Sequence, residues 1–81
     1  MTFRDLELRL IEELRLRVRS GAATERGLAR LAGVSQPHLH NVLKGKRKFS
    51  FYKVDVILHR LHIDVLHLME PEELREAYRR R

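Results

Sequence analysis

The chain has 81 residues, no cysteine and a formal net charge of +6 at pH 7. This length corresponds to one small domain, and the lack of cysteine excludes disulfides and thiolate metal sites as sources of stability. No apolar run approaches the roughly 18 residues that cross a bilayer, and the N-terminus lacks the apolar core of a signal peptide. We therefore expect a cytoplasmic protein that is held together by apolar burial and makes no contact with membranes.

Residues 3–19 alternate leucine with charge in places, yet their apolar side chains also recur with a helical period. On a helix, one face would carry Phe3, Leu6, Leu10, Ile11, Leu14 and Val18. Leucine, glutamate and arginine are strong helix formers, so we predict a helix. Leu8 and Leu16 then fall outside its buried stripe.

Two short helices joined by a tight turn are predicted next. Thr24 can cap the first helix, and Gly33 can adopt the positive φ that a turn requires. Ser35 can cap the second helix, and Pro37 lies in its first turn, where a missing N–H costs nothing. Ala29 is small enough for the two helices to cross closely. The residues expected to face the core or the partner helix are Leu28, Ala32, Val34, Leu39 and Val42.

A further helix is predicted to start at a Ser50 cap and to run through about Leu61. Its inward residues are Val54, Ile57, Leu58 and Leu61. Phe49 and Phe51 flank the cap, and we expect both rings to close the core. Single-stranded nucleic-acid stacking by these rings is the less favoured reading.

The end of the chain contains signals for two more helical segments. His62 follows the fourth helix at a position that favours a left-handed residue. Asp64 can cap a short fifth helix through Leu68 or Met69, and Pro71 can start a C-terminal helix. We therefore predict an all-α compact bundle of about five helices, containing a helix-turn-helix, with an additional C-terminal helix.

The positive charge is concentrated in one segment of the chain. Residues 24–53 contain seven basic residues and a single acidic one, Glu25, whereas the rest of the chain is balanced. The seven are Arg26, Arg30, Lys44, Lys46, Arg47, Lys48 and Lys53. A solvated charge run is the alternative reading of 44–48, but concentrated charge beside a helix-turn-helix favours docking of one face on a polyanion.

From Leu28 to Gly45, followed by Lys46-Arg47-Lys48 and a helix ending in Leu61-His62-Ile63-Asp64, the chain resembles the XRE or lambda-repressor-like helix-turn-helix family. The resemblance covers roughly residues 24–69. Its most specific positions are Ala29, Gly33, Val34, Ser35, Gln36, Leu39, Gly45 and Arg47. One departure is Glu25, which opens the second helix where the family often has a glutamine that touches a phosphate.

The resemblance implies a bundle whose third helix enters the major groove of double-stranded DNA, most often as a dimer on a palindromic operator. On that helix, spanning 35–44, Gln36 and Asn41 are expected to reach base edges, because an amide pairs bidentately with adenine. Pro37 and His38 flank them and are expected to contribute to base readout. Contact of His38 with the DNA backbone is the alternative. The expected phosphate contacts are Ser35, Lys44, Lys46, Arg47, Lys48 and Arg26.

We thus expect a DNA-binding domain over 1–69 and a C-terminal helix over 70–81 that is a candidate dimerisation arm. The expected function is that of a sequence-specific transcriptional regulator, a repressor that occupies its operator as a homodimer and lies on the nucleoid when bound. The favoured dimer surface is the stripe of Leu74, Ala77 and Tyr78, and the alternative is Leu8 with Leu16.

The other reading is an antitoxin or protein-interaction module that uses the same fold mainly to bind a protein. We expect no enzymatic activity, because the serines at 20, 35 and 50 each lie at a helix boundary, where capping accounts for them. His59, His62 and His67 could supply three nitrogen ligands for zinc. These histidines lie at a helix edge, at a helix C-cap and on a separate short helix, and these local positions explain them better than zinc binding does. We therefore expect neither metal nor cofactor.

Overall fold

The computed structural model describes residues 2–79, apart from the side chains of Val65, Ala77 and Tyr78. The helices are α1 (Phe3–Arg19), α2 (Glu25–Ala32), α3 (Gln36–Leu43), α4 (Phe51–Arg60), a 3-10 helix (Val65–Leu68) and α5 (Pro71–Arg79). No strand occurs within the described residues. The all-α bundle predicted from the sequence is therefore confirmed, and the short fifth segment is a 3-10 helix rather than an α-helix.

Side-chain caps begin the helices where the sequence predicts them. The hydroxyl oxygens of Thr24, Ser35 and Ser50 accept hydrogen bonds from backbone N–H groups three residues later, at 2.9, 3.2 and 3.2 Å. Asp64 accepts from the Leu66 N–H at 3.0 Å and caps the 3-10 helix. Each cap satisfies a backbone donor that has no partner within its own helix.

Left-handed residues with one shared pattern of backbone hydrogen bonds end α2, α3 and α4. Gly33, with φ 71°, ends α2, and the Val34 N–H reaches back to the Ala29 carbonyl at 3.0 Å. Gly45, with φ 80°, ends α3 in the same way, and His62, with φ 54°, ends α4. This is the Schellman arrangement, which turns the chain sharply after the last helical residue.

The core lies where α1, α3 and α4 meet, and α2 closes one side. The largest fully buried side chains are Leu10, Leu14, Leu39, Val54 and Ile57. Leu28, Ala29 and Ala32 of α2 are also buried, as the predicted helix-turn-helix requires. Phe49 closes the core from the loop before α4, which confirms that expectation, and Leu43 is buried as well.

The expected positions of Phe3 and Phe51 are wrong. Phe3 is 42% exposed and Phe51 is 69% exposed, although both were expected to face the core. Phe3 lies in the first turn of α1, and Phe51 is the first residue of α4, at the edge of the face that buries Val54 and Ile57. The two rings stack on each other instead, with centroids 5.0 Å apart.

Two cations of α4 bind the carboxyl end of α2. Lys53 Nζ donates to the carbonyls of Ala32 and Gly33 at 3.0 and 3.3 Å, and Arg60 donates to the Leu31 carbonyl at 2.6 Å. A helix C-terminus carries partial negative charge, so these contacts stabilise the packing of α4 against α2.

The C-terminal helix is held to α1 through Arg9. Its guanidinium donates to the Leu68 carbonyl at 3.0 Å and forms a two-pronged ion pair with Glu73, one prong measuring 2.9 Å. The hydrogen bonds from Arg9 and from the Glu70 N–H lower the pKa of the Glu73 carboxyl below its ordinary value of 4.5. Within residues 2–79, no helix combines the length and apolar character that a bilayer crossing needs.

Candidate nucleic-acid interface

The outer face of α3 lies beside the start of α2. Leu39, Val42 and Leu43 bury one side of α3, so the remaining side faces solvent. A shallow depression there is lined by Glu25, Gln36, Pro37, His40 and Asn41. Gln36 and Pro37 are exposed and Asn41 is half-buried, so the structure brings three of the four expected readout residues together.

The two amide side chains on this face are uncommitted. Neither Gln36 nor Asn41 uses its side chain in a hydrogen bond to any residue that the structure describes. The Asn41 backbone carbonyl, by contrast, accepts from the N–H groups of Lys46 and Arg47 at 2.8 and 3.2 Å. These two hydrogen bonds anchor the loop after α3 to the Asn41 backbone, while the Asn41 side-chain amide lines the outer face of α3.

The fourth expected readout residue, His38, is placed differently. It is half-buried, and its ring lies nearly parallel to that of Phe49, with 6.2 Å between centroids and 12° between planes. Its backbone N–H donates to Ser35 Oγ, so Ser35 serves first as a cap. The Ser35 hydroxyl can still donate its own proton outward.

The loop 44–48 presents its four cations to solvent. Lys44, Lys46, Arg47 and Lys48 are all exposed. None of the four forms an ion pair or side-chain hydrogen bond with another described residue. The start of the loop is fixed because Arg15 of α1 donates to the Leu43 carbonyl.

The arginines of α1 provide the contrast. Each of its five arginines pairs with a carboxylate: Arg4, Arg9, Arg15, Arg17 and Arg19. On α2, Arg26 and Arg30 are exposed and have no such partner within the described residues. Lys53 belongs to the same basic segment of the sequence, but its Nζ donates to carbonyls at the end of α2. Six cations of residues 24–48 therefore remain available to an external anion.

Sequence reasoning missed one member of this face. His40 Nδ1 lies 3.2 Å from Glu25 Oε1 and 3.4 Å from Oε2, which joins α3 to the first turn of α2. The Glu25 carboxylate is thus paired rather than simply presented to solvent. The available signal was the spacing of Gln36, His40 and Lys44, which are four residues apart and lie along one helix face.

The candidate dimer surfaces are incompletely covered by the structure. Leu74 is half-buried on α5, whereas the side chains of Ala77 and Tyr78 lie outside the described residues. Leu8 and Leu16 are 50% and 52% exposed, as the helical pattern of α1 predicts. Among the described residues, no cluster of three or more histidine or acidic side chains could hold a metal ion.

Comparisons with protein-family models, with curated proteins and with solved structures give no match to this chain.

Proposed function

We propose that this protein is a sequence-specific double-stranded DNA-binding regulator of the helix-turn-helix type, a repressor that acts by occupying its operator. The observation that carries the proposal is a set of six cations, on α2 and the loop 44–48, that have no partner among the described residues and lie next to a helix with two uncommitted amides. Elsewhere, on α1, the arginines are neutralised by carboxylates. A segment that leaves its positive charge without carboxylate partners is suited to a polyanion.

In this proposal the two groups of residues have different roles. The loop cations, together with Arg26 and the Ser35 hydroxyl, contact phosphates and set the position of α3 along the duplex. Gln36 and Asn41 read base edges in the major groove, and exposed Pro37 packs against a thymine methyl. His38, with one ring face covered by Phe49, contributes less to base readout than its neighbours.

The proposed functional unit is a homodimer on a palindromic site. One α3 covers only a few base pairs, which is too little to select a site in a genome. A two-fold dimer doubles the contacts and places two recognition helices about 34 Å apart, on one face of the duplex. The α5 surface around Leu74 is the favoured contact because it leaves α3 free, and the exposed Leu8 and Leu16 of α1 are the alternative.

The test is a pair of binding titrations by fluorescence anisotropy. A labelled random-sequence duplex of about 20 base pairs should bind at about 50 mM salt and weaken steeply by about 200 mM. A duplex recovered by selection from a random library should then bind at least about a thousandfold more tightly than the random one. Failure of both duplexes to bind at low salt would refute the proposal.

The second candidate, a protein-binding module such as an antitoxin, is favoured by a different observation. Phe51 and Tyr52 are each 69% exposed at the start of α4, and Phe3 stacks on Phe51 beside them. Exposed apolar groups that lie close together are typical of protein contacts. Absence of duplex binding, with Phe51 and Tyr52 needed for binding to a protein, would favour this candidate.

A further inference from the structure

His40 occupies the centre of the proposed DNA-binding face. It lies four residues after Gln36 and four before Lys44, so these three side chains follow one another along the same side of α3. About half of the His40 side chain is exposed, at 49%. With Gln36, Pro37 and Asn41 it lines the depression beside α2.

The Glu25 carboxylate fixes the orientation of the His40 ring. Both carboxylate oxygens lie within 3.4 Å of Nδ1. Only a protonated Nδ1 can donate to them, so the Nδ1–H faces Glu25 and the other ring nitrogen, Nε2, lies on the far side of the ring. Glu25 is 28% exposed, and its position in the first turn of α2 is set by the Thr24 cap.

Four charged groups lie around the His40 ring, and the Glu25 carboxylate is hydrogen-bonded to it. One open depression with His40 is lined by Glu25 from α2, Arg15 and Arg19 from α1, and Lys44 from the loop that follows α3. Arg15 binds the Leu43 carbonyl and Glu12, and Arg19 lies 3.8 Å from Glu12, so both guanidinium groups are occupied. Glu25 is therefore the charged group in direct contact with the ring, and Lys44 is the cation beside it that has no partner among the described residues.

We propose that His40 is a further phosphate-contacting residue of this interface, held in place by Glu25 as a positioning residue, and that DNA binding is coupled to its protonation. The inference rests on the proposed function. A neutral ring with its proton on Nδ1 offers only a lone pair at Nε2, which a phosphate oxygen cannot use. The protonated ring donates from Nε2 to the phosphate and balances the Glu25 carboxylate at the same time.

This coupling predicts a direction for the pH dependence of DNA binding. Binding that requires a protonated ring takes up a proton, so affinity rises as pH falls through the range in which histidine changes charge, about pH 8 to 5. One added unit charge about 4 Å from a phosphate, in water, corresponds to about fivefold in affinity. The same added contact should steepen the dependence of log affinity on log salt by about 0.9.

The experiment measures anisotropy of a labelled random duplex of about 20 base pairs at about pH 6 and about pH 8. Wild type should bind about fivefold more tightly at the lower pH, and His40→Gln should lose most of that difference. His59→Gln is the control, because His59 is exposed on α4, outside the proposed interface, and this variant should keep the difference. An unchanged pH difference in His40→Gln would overturn the inference.

Glu25→Gln tests the positioning role separately. The variant should bind DNA more tightly at about pH 8, because a carboxylate near phosphates is removed. At about pH 8, NMR of the His40 ring should show more of the Nε2-protonated tautomer in Glu25→Gln than in wild type, because a neutral amide accepts from Nδ1–H more weakly than a carboxylate; an unchanged tautomer ratio would overturn the positioning role. Duplex binding without pH dependence would reject this inference alone, whereas no duplex binding at either pH would reject the proposed function.

Discussion

Changing Lys46 and Arg47 together to alanine should reduce the salt dependence of DNA binding by a calculable amount. Both side chains are exposed, and neither has a partner among the described residues, so each is available for one phosphate contact. Each lost contact lowers the slope of log affinity against log salt by about 0.9, which gives about 1.8 for the pair. Between about 50 and 200 mM salt, wild type should lose roughly tenfold more affinity than the variant.

The assay is an anisotropy titration of the selected and random duplexes at several salt concentrations. The matched control is Arg17→Ala with Arg79→Ala, which removes the same net charge from side chains that pair with Glu13 and Glu76. The control should keep the wild-type slope, and the loop variant should weaken both duplexes alike. An unchanged slope in the loop variant would show that this loop does not touch DNA.

Four further outcomes follow from the same structure. Alanine at Gln36 or Asn41 should weaken binding to the selected duplex by about 1–3 kcal/mol and relax preference at particular base pairs. Equal losses of affinity for the random duplex would assign both side chains to contacts with the DNA backbone. His62→Gly should stabilise the fold by about 1 kcal/mol, or roughly 4–8 °C in Tm, because it relieves a positive φ; an unchanged Tm by circular dichroism would contradict this. Ionised Glu73 stabilises the contact of α5 with α1, so stability should fall as pH drops below about 4.5, and Glu73→Gln should remove part of that fall in thermal melts. Leu74→Asp should shift a dimer toward monomer in sedimentation, whereas a wild type that stays monomeric at high concentration would refute the dimer.

Local chemistry explains why so many helix boundaries could be predicted. A cap such as Ser35 or Ser50 acts on an N–H only three residues away, and that interaction is the same in any fold. The left-handed position at His62 is likewise dictated by the end of its own helix. Periodicity identified most of the buried side chains, because helical period and burial are linked.

Contacts between distant residues could not be predicted in this way. Periodicity places Phe3 on the apolar face of α1, but it does not show where that face extends beyond the end of the core. Phe3 lies beyond that end and stacks on Phe51 rather than packing into the core. Lys53 is not available to an external anion because its Nζ donates to a carbonyl at the end of α2. That contact depends on where α4 crosses α2. The pairing of Glu25 with His40 depends on how α3 crosses α2, since the residues lie 15 positions apart.

The most direct test of the central proposal is selection of bound sites from a random duplex library with the wild-type protein. The proposed function predicts an enriched palindrome with half-site centres about one helical turn apart, and enrichment that is lost in the Gln36→Ala variant. Recovery of unenriched sequence, from a protein shown to be folded and able to retain duplex at low salt, would contradict sequence-specific recognition by α3.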